Sequence, residues 1–395
     1  MKPTIWTGAL ILGVIFVIGS QKSGAGKLPF AAHKSSDIHH ENYKFVAQSE
    51  LAGLKPYVPK TQVSGVIRSF GNNYIPALVK QWQDGFMKMQ PGVRFETNLP
   101  GSEAAMAGLY GGIADLAFIG REGYPSELRA FEETKGHLPL KIEISSGSFS
   151  TPHKTFALMV FVHKDNPLAN MTLSELARVY GCMEKKNPGQ ITNWGQLGLK
   201  GNWKHRPIHV YGYNPTTGMA QYFQRAVLNG TSRWTDNLKN FNNSYRANGQ
   251  VVNAGVYVLN ALAKDPEGIA YANFLYASPD VKALALARGT GNRYWEPTRE
   301  NAFQRSYPLT RFTTVFLDRV PGRPVDPKLK EFLDYILSRD GMEAVINDGA
   351  YLPLNAKQIE IEKKRWSRKL NFHTIILCNA CPYSVDYSKN FRLAP

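Results

Sequence analysis

Residues 63–86 read VSGVIRSFGNNYIPALVKQWQDGF, and this stretch is the best guide to the class of fold. Its first part, from Val63 to Phe70, is rich in β-branched and apolar residues and predicts a strand that breaks at Gly71-Asn72-Asn73. Apolar residues then recur with helical spacing from Ile75 to Phe86. A strand that runs through a short polar turn into a helix is half of a βαβ unit, so the stretch indicates a mostly parallel sheet.

The same order of elements is repeated before residue 122. A second strand is predicted from Val93 to Asn98, a turn at Pro100-Gly101-Ser102, and a helix from Ala104 to Tyr110. A third strand, Ala114 to Ile119, runs into Gly120-Arg121. Alternating strands and helices of these lengths predict an α/β fold.

Two nearly continuous apolar runs, Thr155 to His163 and Thr313 to Leu317, are typical of strands that are covered on both faces. The chain between them contains a further predicted strand, Pro207 to Gly212, and a helix from Met219 to Leu228, joined by a polar loop. Because the two runs bracket this segment, we expect it to form a second lobe that is inserted into the first.

The predicted domain boundaries follow from these elements. After the second apolar run, Asp326-Pro327 opens a helix that Gly341 is expected to end, and this helix returns the chain to the first lobe. The predicted parts are a signal peptide (1–25), a flexible leader (26–60), a discontinuous first lobe (61–156 and 305–356), a second lobe (157–304) and a basic C-terminal extension (357–395).

The N-terminus and the overall charge indicate a location and a class of partner. The apolar run from Ala9 to Ile18 is shorter than the roughly 20 residues of a membrane span, which favours a signal peptide over an uncleaved anchor. We therefore expect export to the periplasm or the cell exterior. The net charge is +16, but no run of five or more Lys or Arg occurs, so an anionic solute or surface is favoured over nucleic acid.

The sequence predicts neither a metal nor a catalytic site. Its three cysteines, Cys182, Cys378 and Cys381, are too few for a disulfide framework, and one C-x-x-C pair is only half of a structural zinc site. Cys182 is expected to be a packed thiol. Because no G-x-S-x-G or H-E-x-x-H motif is present, we predict no catalytic residue, no metal and no cofactor.

Four strand-to-helix junctions carry small, hydroxyl or amide residues that suit an anion. They are Gly71-Asn72-Asn73, Gly101-Ser102, Gly120-Arg121 and Asn214 with Thr216-Thr217-Gly218. In open α/β sheets, ligands bind beyond the carboxyl ends of the strands, where free helical N–H groups converge. Each junction alone is an ordinary cap or turn. Together they predict an anion site, to which Arg121 would add a bidentate donor.

Several motifs resemble those of the phosphate-binding proteins of bacterial phosphate ABC transporters. They are GSEAA (101–105), ADLAFIGR (114–121), ITNWGQLG (191–198), YPLTR (307–311), SRDG (338–341) and YLPL (351–354). The resemblance implies a two-lobed type II periplasmic-binding fold, with inorganic phosphate or a related oxyanion in the cleft between the lobes. It also implies a monomer that delivers the ligand to an ABC permease.

The resemblance assigns roles to individual residues. It implies that Ser102 donates its hydroxyl, that Thr217 and Gly218 supply a hydroxyl and an amide, and that Asn72-Asn73 caps the first helix.

Three positions depart from the family's common pattern. Glu103 stands where a glycine is usual, Tyr213 stands near where an arginine is usual, and Met219 stands where a threonine is usual. Two other functions therefore stay open at this point. One is an exported phosphatase or other hydrolase that uses the same cleft, and the other is a cell-envelope interaction protein that has lost phosphate binding.

Overall fold

The computed structural model describes residues 51, 53–152, 154–182 and 189–367. The predicted signal peptide, most of the predicted leader, and Cys378 and Cys381 lie outside the described residues. Within the described ranges, no helix is both long and apolar enough to cross a membrane.

The described chain forms fourteen strands and ten α-helices. The strands are β1 (Ser64–Gly71), β2 (Gly92–Asn98), β3 (Leu116–Ile119), β4 (Leu140–Ser146), β5 (Met159–His163), β6 (Asn170–Thr172), β7 (His209–Tyr213), β8 (Leu238–Phe241), β9 (Ser244–Tyr245), β10 (Val251–Val252), β11 (Gly268–Ala272), β12 (Val281–Ala283), β13 (Ala285–Ala287) and β14 (Phe312–Leu317). The helices are α1 (Pro76–Met89), α2 (Ser102–Tyr110), α3 (Pro125–Lys135), α4 (Leu173–Tyr180), α5 (Gly218–Val227), α6 (Ala254–Leu262), α7 (Arg299–Phe303), α8 (Pro327–Ile336), α9 (Arg339–Asp348) and α10 (Ala356–Ser367).

Two five-stranded sheets form the centres of two lobes. The first sheet has the order β2-β1-β3-β14-β4, and the second has the order β8-β7-β11-β5-β12. In the first sheet β14 is antiparallel to both of its neighbours, and in the second sheet β5 is antiparallel to both of its neighbours. In each sheet, this antiparallel strand is the first strand that the chain forms after it crosses over from the other lobe. The predicted two-lobed α/β fold is confirmed.

The chain crosses between the lobes twice, at residues 147–158 and 304–311. Each lobe packs its own core on both faces of its sheet. All five residues of β5 and all five of β11 are buried, as the continuous apolar run had indicated for β5. In the first lobe, Trp82 and Phe86 of α1 are buried, and Phe86 contacts Phe332 of α8 with the ring centres 5.1 Å apart.

Gly341 does not end the helix that follows Pro327, so that prediction was wrong. Helix α8 already ends at Ile336, and Ser338 caps α9 by accepting a hydrogen bond from the Gly341 amide at 3.3 Å. Gly341 lies in the first turn of α9, where a Cβ atom would clash with the Ile336 carbonyl oxygen. A glycine is needed here because two helices meet closely.

Part of the predicted leader packs on the first lobe, so the expectation of flexibility up to residue 60 was wrong there. Leu51 and Tyr57 are buried in its core. The Tyr57 hydroxyl donates to Glu331 at 2.7 Å, and the Tyr57 amide donates to Asp340 at 2.6 Å. These bonds join the segment to α8 and α9.

The start of the predicted C-terminal extension is also part of the first lobe, because residues 356–367 form α10. Glu362 is buried and accepts a hydrogen bond from the Glu143 amide of β4 at 2.9 Å. Trp366 is buried in the same core. A further correction concerns Cys182, which is exposed and not packed.

Candidate anion site between the lobes

The first-lobe part of the site begins where β1 ends. Gly71 has a φ of +124°, and a Cβ atom there would clash with the Phe118 carbonyl oxygen, so the turn requires glycine. Asn72 follows and is fully buried, with its Oδ1 accepting a hydrogen bond from the Tyr74 amide at 2.9 Å. The Asn72 Nδ2 is buried and has no hydrogen-bond partner among the described residues. This amide is therefore a donor that a ligand could use.

Three more residues meet around Asn72. Ser102 begins α2, and its Oγ accepts a hydrogen bond from the Gly120 amide at 3.0 Å. A hydroxyl that accepts one bond can still donate its own hydrogen. A Cβ atom at Gly120 would clash with Asn72 Nδ2, and the Thr155 hydroxyl donates to the Gly120 carbonyl oxygen. Thr155 lies in the first crossover and was not among the predicted site residues.

Arg121 is buried, but its guanidinium fork already has a partner. Both of its Nη atoms donate to the Glu127 carboxylate, at 2.9 and 2.6 Å, and its guanidinium carbon lies 3.6 Å from the centre of the Tyr124 ring. Burial lowers the pKa of Arg121, but the hydrogen bonds to Glu127 and the negative charges around the guanidinium, that of Glu127 above all, together outweigh burial and raise the pKa overall. Arg121 is therefore not the unpaired bidentate donor that the sequence led us to expect. A contact between Arg121 and a ligand stays a prediction.

Glu103, which stands where the family commonly has glycine, points largely to solvent. Its side chain is 78% exposed, and its Oε1 lies 3.5 Å from Arg121 Nε. An exposed carboxylate is screened by water, so it opposes a bound anion less than a buried one would.

The second lobe contributes the N-terminus of α5. Thr217 caps this helix, since its Oγ1 accepts from the Ala220 amide at 3.4 Å while donating to the Asn214 carbonyl oxygen at 2.8 Å. Gly218 faces the first lobe, because a Cβ atom there would lie 3.6 Å from the Tyr124 hydroxyl. Farther along α5, Arg225 Nη2 donates to the Gly123 carbonyl oxygen of the first lobe at 3.1 Å. The lobes are thus in contact.

The other predicted site residues lie in turns or at the edge of the cluster. The Asn214 Oδ1 accepts from the amide and the hydroxyl of Thr216, at 3.0 and 2.8 Å, and Thr216 is exposed. Asn73 is exposed as well. Gly101 is the N-cap of α2, and its amide donates to the Gly71 carbonyl oxygen at 2.8 Å. The described contacts of these residues stabilise the backbone of the two junctions.

Arg311 is a buried cation that was not among the predicted site residues. It lies at the end of the second crossover, its side chain is 2% exposed, and its Nη2 donates to Glu122 at 3.0 Å. Its Nη1 lies 3.0 Å from the Met219 sulfur. The Nε is buried and unpaired within the described part of the chain. The only sequence signal was its place in the YPLTR motif, which gives no spatial information.

The other two positions that depart from the family pattern are Met219 and Tyr213, and the structure shows what surrounds each of them. Met219 packs its thioether against Arg311, where a sulfur is only a weak acceptor. Tyr213 is buried, with its hydroxyl 3.5 Å from Asn253 Oδ1. Burial raises the pKa of Tyr213 well above its ordinary value, so the side chain is a neutral phenol at neutral pH.

A group that could hold a metal lies in the second lobe, away from these residues. The donor atoms of His209, Asp265 and Glu267 lie within 4.8 Å of one another. The Asp265 carboxylate, however, accepts hydrogen bonds from Tyr211, from the Glu267 amide and from the ring of His209. Because its oxygens are already used by the protein, we do not assign a metal to this group.

Comparisons with known proteins identify the family. A model described as a PBP superfamily domain, the superfamily of periplasmic binding proteins, matches residues 60–340. The phosphate-binding protein PstS of Pseudomonas aeruginosa is 30% identical over 322 residues, which cover 80% of this chain and 92% of that protein. The chain is a divergent PstS-like member of this superfamily. Protein SphX of Synechococcus elongatus is 21% identical over 319 residues, covering 80% of this chain and 85% of that protein.

Solved structures similar to this PstS-like chain include an ABC-type phosphate transport receptor from Vibrio cholerae and PstS from Borrelia burgdorferi. The first has a TM-score of 0.46 at 18% identity and covers 72% of this chain and 99% of its own. The second has a TM-score of 0.49 at 15% identity and covers 74% of this chain and 100% of its own.

Proposed function

We propose that the protein is an exported, non-enzymatic binding component that captures inorganic phosphate, or a related small oxyanion, between its lobes and delivers it to an ABC permease. The observation that carries this proposal is a pair of buried donors, Asn72 Nδ2 and Arg311 Nε, that lack protein partners among the described residues. Asn72 lies in the first lobe at the end of β1, and Arg311 lies at the end of the second crossover, where it contacts Met219 in the first turn of α5. The 30% identity to a protein named as phosphate-binding supports the choice of ligand.

The arrangement suits an anion that is held mainly by hydrogen bonds. Each of the two buried arginines discussed above is neutralised by a carboxylate, since Arg121 is paired with Glu127 and Arg311 with Glu122. A hydrogen bond to a charged group contributes roughly 1.5–3 kcal/mol. A few such bonds, together with the N-termini of α2 and α5, would hold a tetrahedral oxyanion without an excess of cations.

Release of the ligand would require the lobes to separate about the two crossovers. Arg225 of α5 donates a hydrogen bond to the Gly123 carbonyl oxygen of the first lobe, so the two lobes are in direct contact here. Opening would break this bond and move the N-terminus of α5 away from Asn72 and Ser102. The same motion would let an ABC permease receive the ligand.

The geometry gives no support to the hydrolase alternative. A serine nucleophile needs a base within hydrogen-bond reach. The hydrogen bond described for Ser102 Oγ comes from the Gly120 amide and not from a histidine or a carboxylate. The surroundings of Ser102 therefore favour a binding component over a hydrolase.

The test is a calorimetric titration of the purified protein after unfolding and refolding to remove any bound anion. Phosphate, sulfate and molybdate would be compared at equal ionic strength, with a neutral sugar as the control. We expect saturable binding of phosphate at one site per chain and none of the sugar. The absence of saturable heat with every oxyanion would overturn the proposal.

A further inference from the structure

A second concave surface lies on the first lobe, and it shares no lining residue with the site between the lobes. It is a groove between residues 53–60, α8 and α10, with a volume of about 760 Å³. We name it the lysine groove. It is lined by Gly53, Leu54, Lys55, Pro56, Lys60, Lys330, Asp334, Leu337, Ala356, Ile359, Glu360, Lys363, Lys364 and Trp366.

The lysine groove has an excess of positive charge. Its lining contains five lysines against two carboxylates. Asp334 is shared between Lys60, at 3.2 Å, and Lys330, at 2.7 Å. Glu360 pairs with Lys364 at 2.5 Å. The two carboxylates therefore offset only part of the positive charge of the five lysines, which come from three segments of the chain.

Lys363 shows the effect of the neighbouring positive charges. It is partly buried on α10 beside the two lysines that share Asp334. Burial lowers its pKa, and the positive charges of Lys60 and Lys330 lower it further against the opposing effect of Asp334. An anion that entered the groove would relieve this repulsion, so the groove favours a negatively charged occupant.

The flanking segments of the chain do not supply that charge. Residues 1–50 contain five Lys or Arg and three Asp or Glu, and residues 368–395 contain four and one. A second copy of the protein, at +16, would also be repelled. The complementary charge must therefore come from another molecule.

The lining also indicates the kind of anion. It includes five lysines and no arginine among its described residues. An arginine fork matches carboxylate and phosphate alike, whereas lysine binds phosphate as a compact point charge with three rotatable donors, so lysines alone can hold a row of phosphate groups. Because the lysines come from three segments around a groove of this size, one small ion cannot contact them all. We propose that the lysine groove binds a linear polyanion that carries phosphate groups along its length.

The test uses the full-length protein and a linear inorganic polyphosphate of narrow length distribution as the probe. Its dissociation constant would be measured at several salt concentrations for the wild type and for the double variant Lys330→Gln with Lys363→Gln. The matched control is Lys80→Gln with Lys164→Gln, because these lysines are exposed, each pairs with an aspartate, and neither lines the groove.

We expect the groove variant to bind polyphosphate about tenfold or more weakly at low salt and the control to stay within about twofold of the wild type. The slope of log K against log salt should fall by about 1 for each phosphate-contacting lysine removed. Equal losses in both variants, or no binding by the wild type, would overturn the proposal. Equally tight binding of polyglutamate at the groove would overturn the choice of phosphate.

Two further measurements separate this proposal from the function of the interlobe site. Binding of monomeric phosphate should be unchanged in the groove variant. Binding of polyphosphate should be unchanged in Asn72→Asp, which alters only the interlobe site. If the groove variant lost monomeric phosphate and kept polyphosphate, the groove assignment would be wrong whether or not the interlobe site binds phosphate.

Discussion

The ion pair between Arg311 and Glu122 determines how much positive charge the interlobe site can offer to a ligand. Arg311 uses Nη2 for Glu122 and meets only a weak sulfur acceptor at Nη1, while its Nε is unpaired within the described residues. Replacing it by glutamine removes the cation but keeps a polar side chain. Because a hydrogen bond to a charged group contributes roughly 1.5–3 kcal/mol, we expect Arg311→Gln to weaken phosphate binding by about 10- to 150-fold in a calorimetric titration.

The matched variant for Arg311→Gln is Glu122→Gln. It removes the competing carboxylate and leaves Arg311 in place, so phosphate affinity should rise several-fold. Both variants break the same buried ion pair and should lower the thermal midpoint. If both weakened phosphate binding to the same extent, the effect would be structural and Arg311 would not contact the ligand.

Asn72 offers a sharper test, because its two side-chain atoms have different roles. The Oδ1 accepts from the Tyr74 amide, and the Nδ2 is the unpaired donor. Asn72→Asp keeps the acceptor and replaces the donor by a negative charge. We expect a loss of phosphate affinity of about 100-fold or more, since like charges in a buried site repel strongly.

The control for this substitution is its exposed neighbour, Asn73→Asp. It makes the same change of charge one residue away, and we expect less than about threefold loss because the charge is in solvent. Equal losses in the two variants would show that a general electrostatic effect acts, and that Asn72 does not contact the anion.

Sequence alone could indicate the backbone of this site but not its charges. Gly71, Asn72, Ser102 and Gly120 were identified because strand ends that run into helix starts have a recognisable composition, and the structure places these residues together. Arg311 was missed because its partners, Met219 and Glu122, are 92 and 189 positions away in the chain. The pairing of Arg121 with Glu127 was missed because a sequence does not show whether an arginine pairs with a nearby helix-capping glutamate or stays free to bind a ligand.

Among the secondary-structure elements, the junction of α8 and α9 depends on the size of one residue. A Cβ atom at Gly341 would clash with the carbonyl oxygens of Tyr335 and Ile336, and the Gly341 carbonyl oxygen accepts from the Trp82 indole at 2.8 Å. We expect Gly341→Ala to lower the free energy of unfolding by roughly 1–3 kcal/mol, as overpacking of buried sites does. Urea denaturation measures this change.

Gly53→Ala is the control, because a Cβ atom there would lie 3.9 Å from the Ala356 side chain, which is ordinary contact. Its unfolding free energy should stay within about 0.5 kcal/mol of the wild type. An equally stable Gly341→Ala protein would contradict the close approach of the two helices.

The strands and helices themselves were largely predictable, because their apolar periodicity is local. The strands β1 to β3 and the helices α1, α2 and α5 lie within a few residues of their predicted bounds. Gly341 was misread since a glycine near a helix end usually marks a C-terminus, and only the tertiary contact shows otherwise. The role of α10 was missed because the burial of Glu362 and Trp366 depends on β4 and the first-lobe core.

For the whole molecule, the account depends on closure of the two lobes. The hydrogen bond between Arg225 and Gly123 joins α5 to the first lobe. A net contribution of 0.5–1.5 kcal/mol for such a bond predicts that Arg225→Ala weakens phosphate binding by about 2- to 12-fold. The loss should be in a faster dissociation rate, measured by stopped flow, because this bond must break before the lobes can separate.

Arg206→Ala is the control for closure, because Arg206 donates to the Asn202 carbonyl oxygen within its own lobe at 3.1 Å. Its dissociation rate should equal that of the wild type. A normal rate in Arg225→Ala would mean that this contact does not stabilise the bound state.

The relative placement of the lobes could not be read from the sequence, although both lobes were expected. Each sheet takes one antiparallel strand from the other lobe, so the two crossovers fix the topology, and the apolar runs Thr155 to His163 and Thr313 to Leu317 revealed them. How closely α5 approaches the first lobe depends on residues such as Tyr124 and Gly218, which lie far apart in the sequence and meet only in the fold.

The most direct test of the interlobe site is a crystal structure of the protein with bound phosphate. The account predicts the phosphate between the lobes, with its oxygens within hydrogen-bond distance of Asn72 Nδ2, Arg311 Nε and the Ser102 hydroxyl, near the N-terminus of α5. A phosphate bound elsewhere, or bound between the lobes without contact to Asn72 and Arg311, would contradict it.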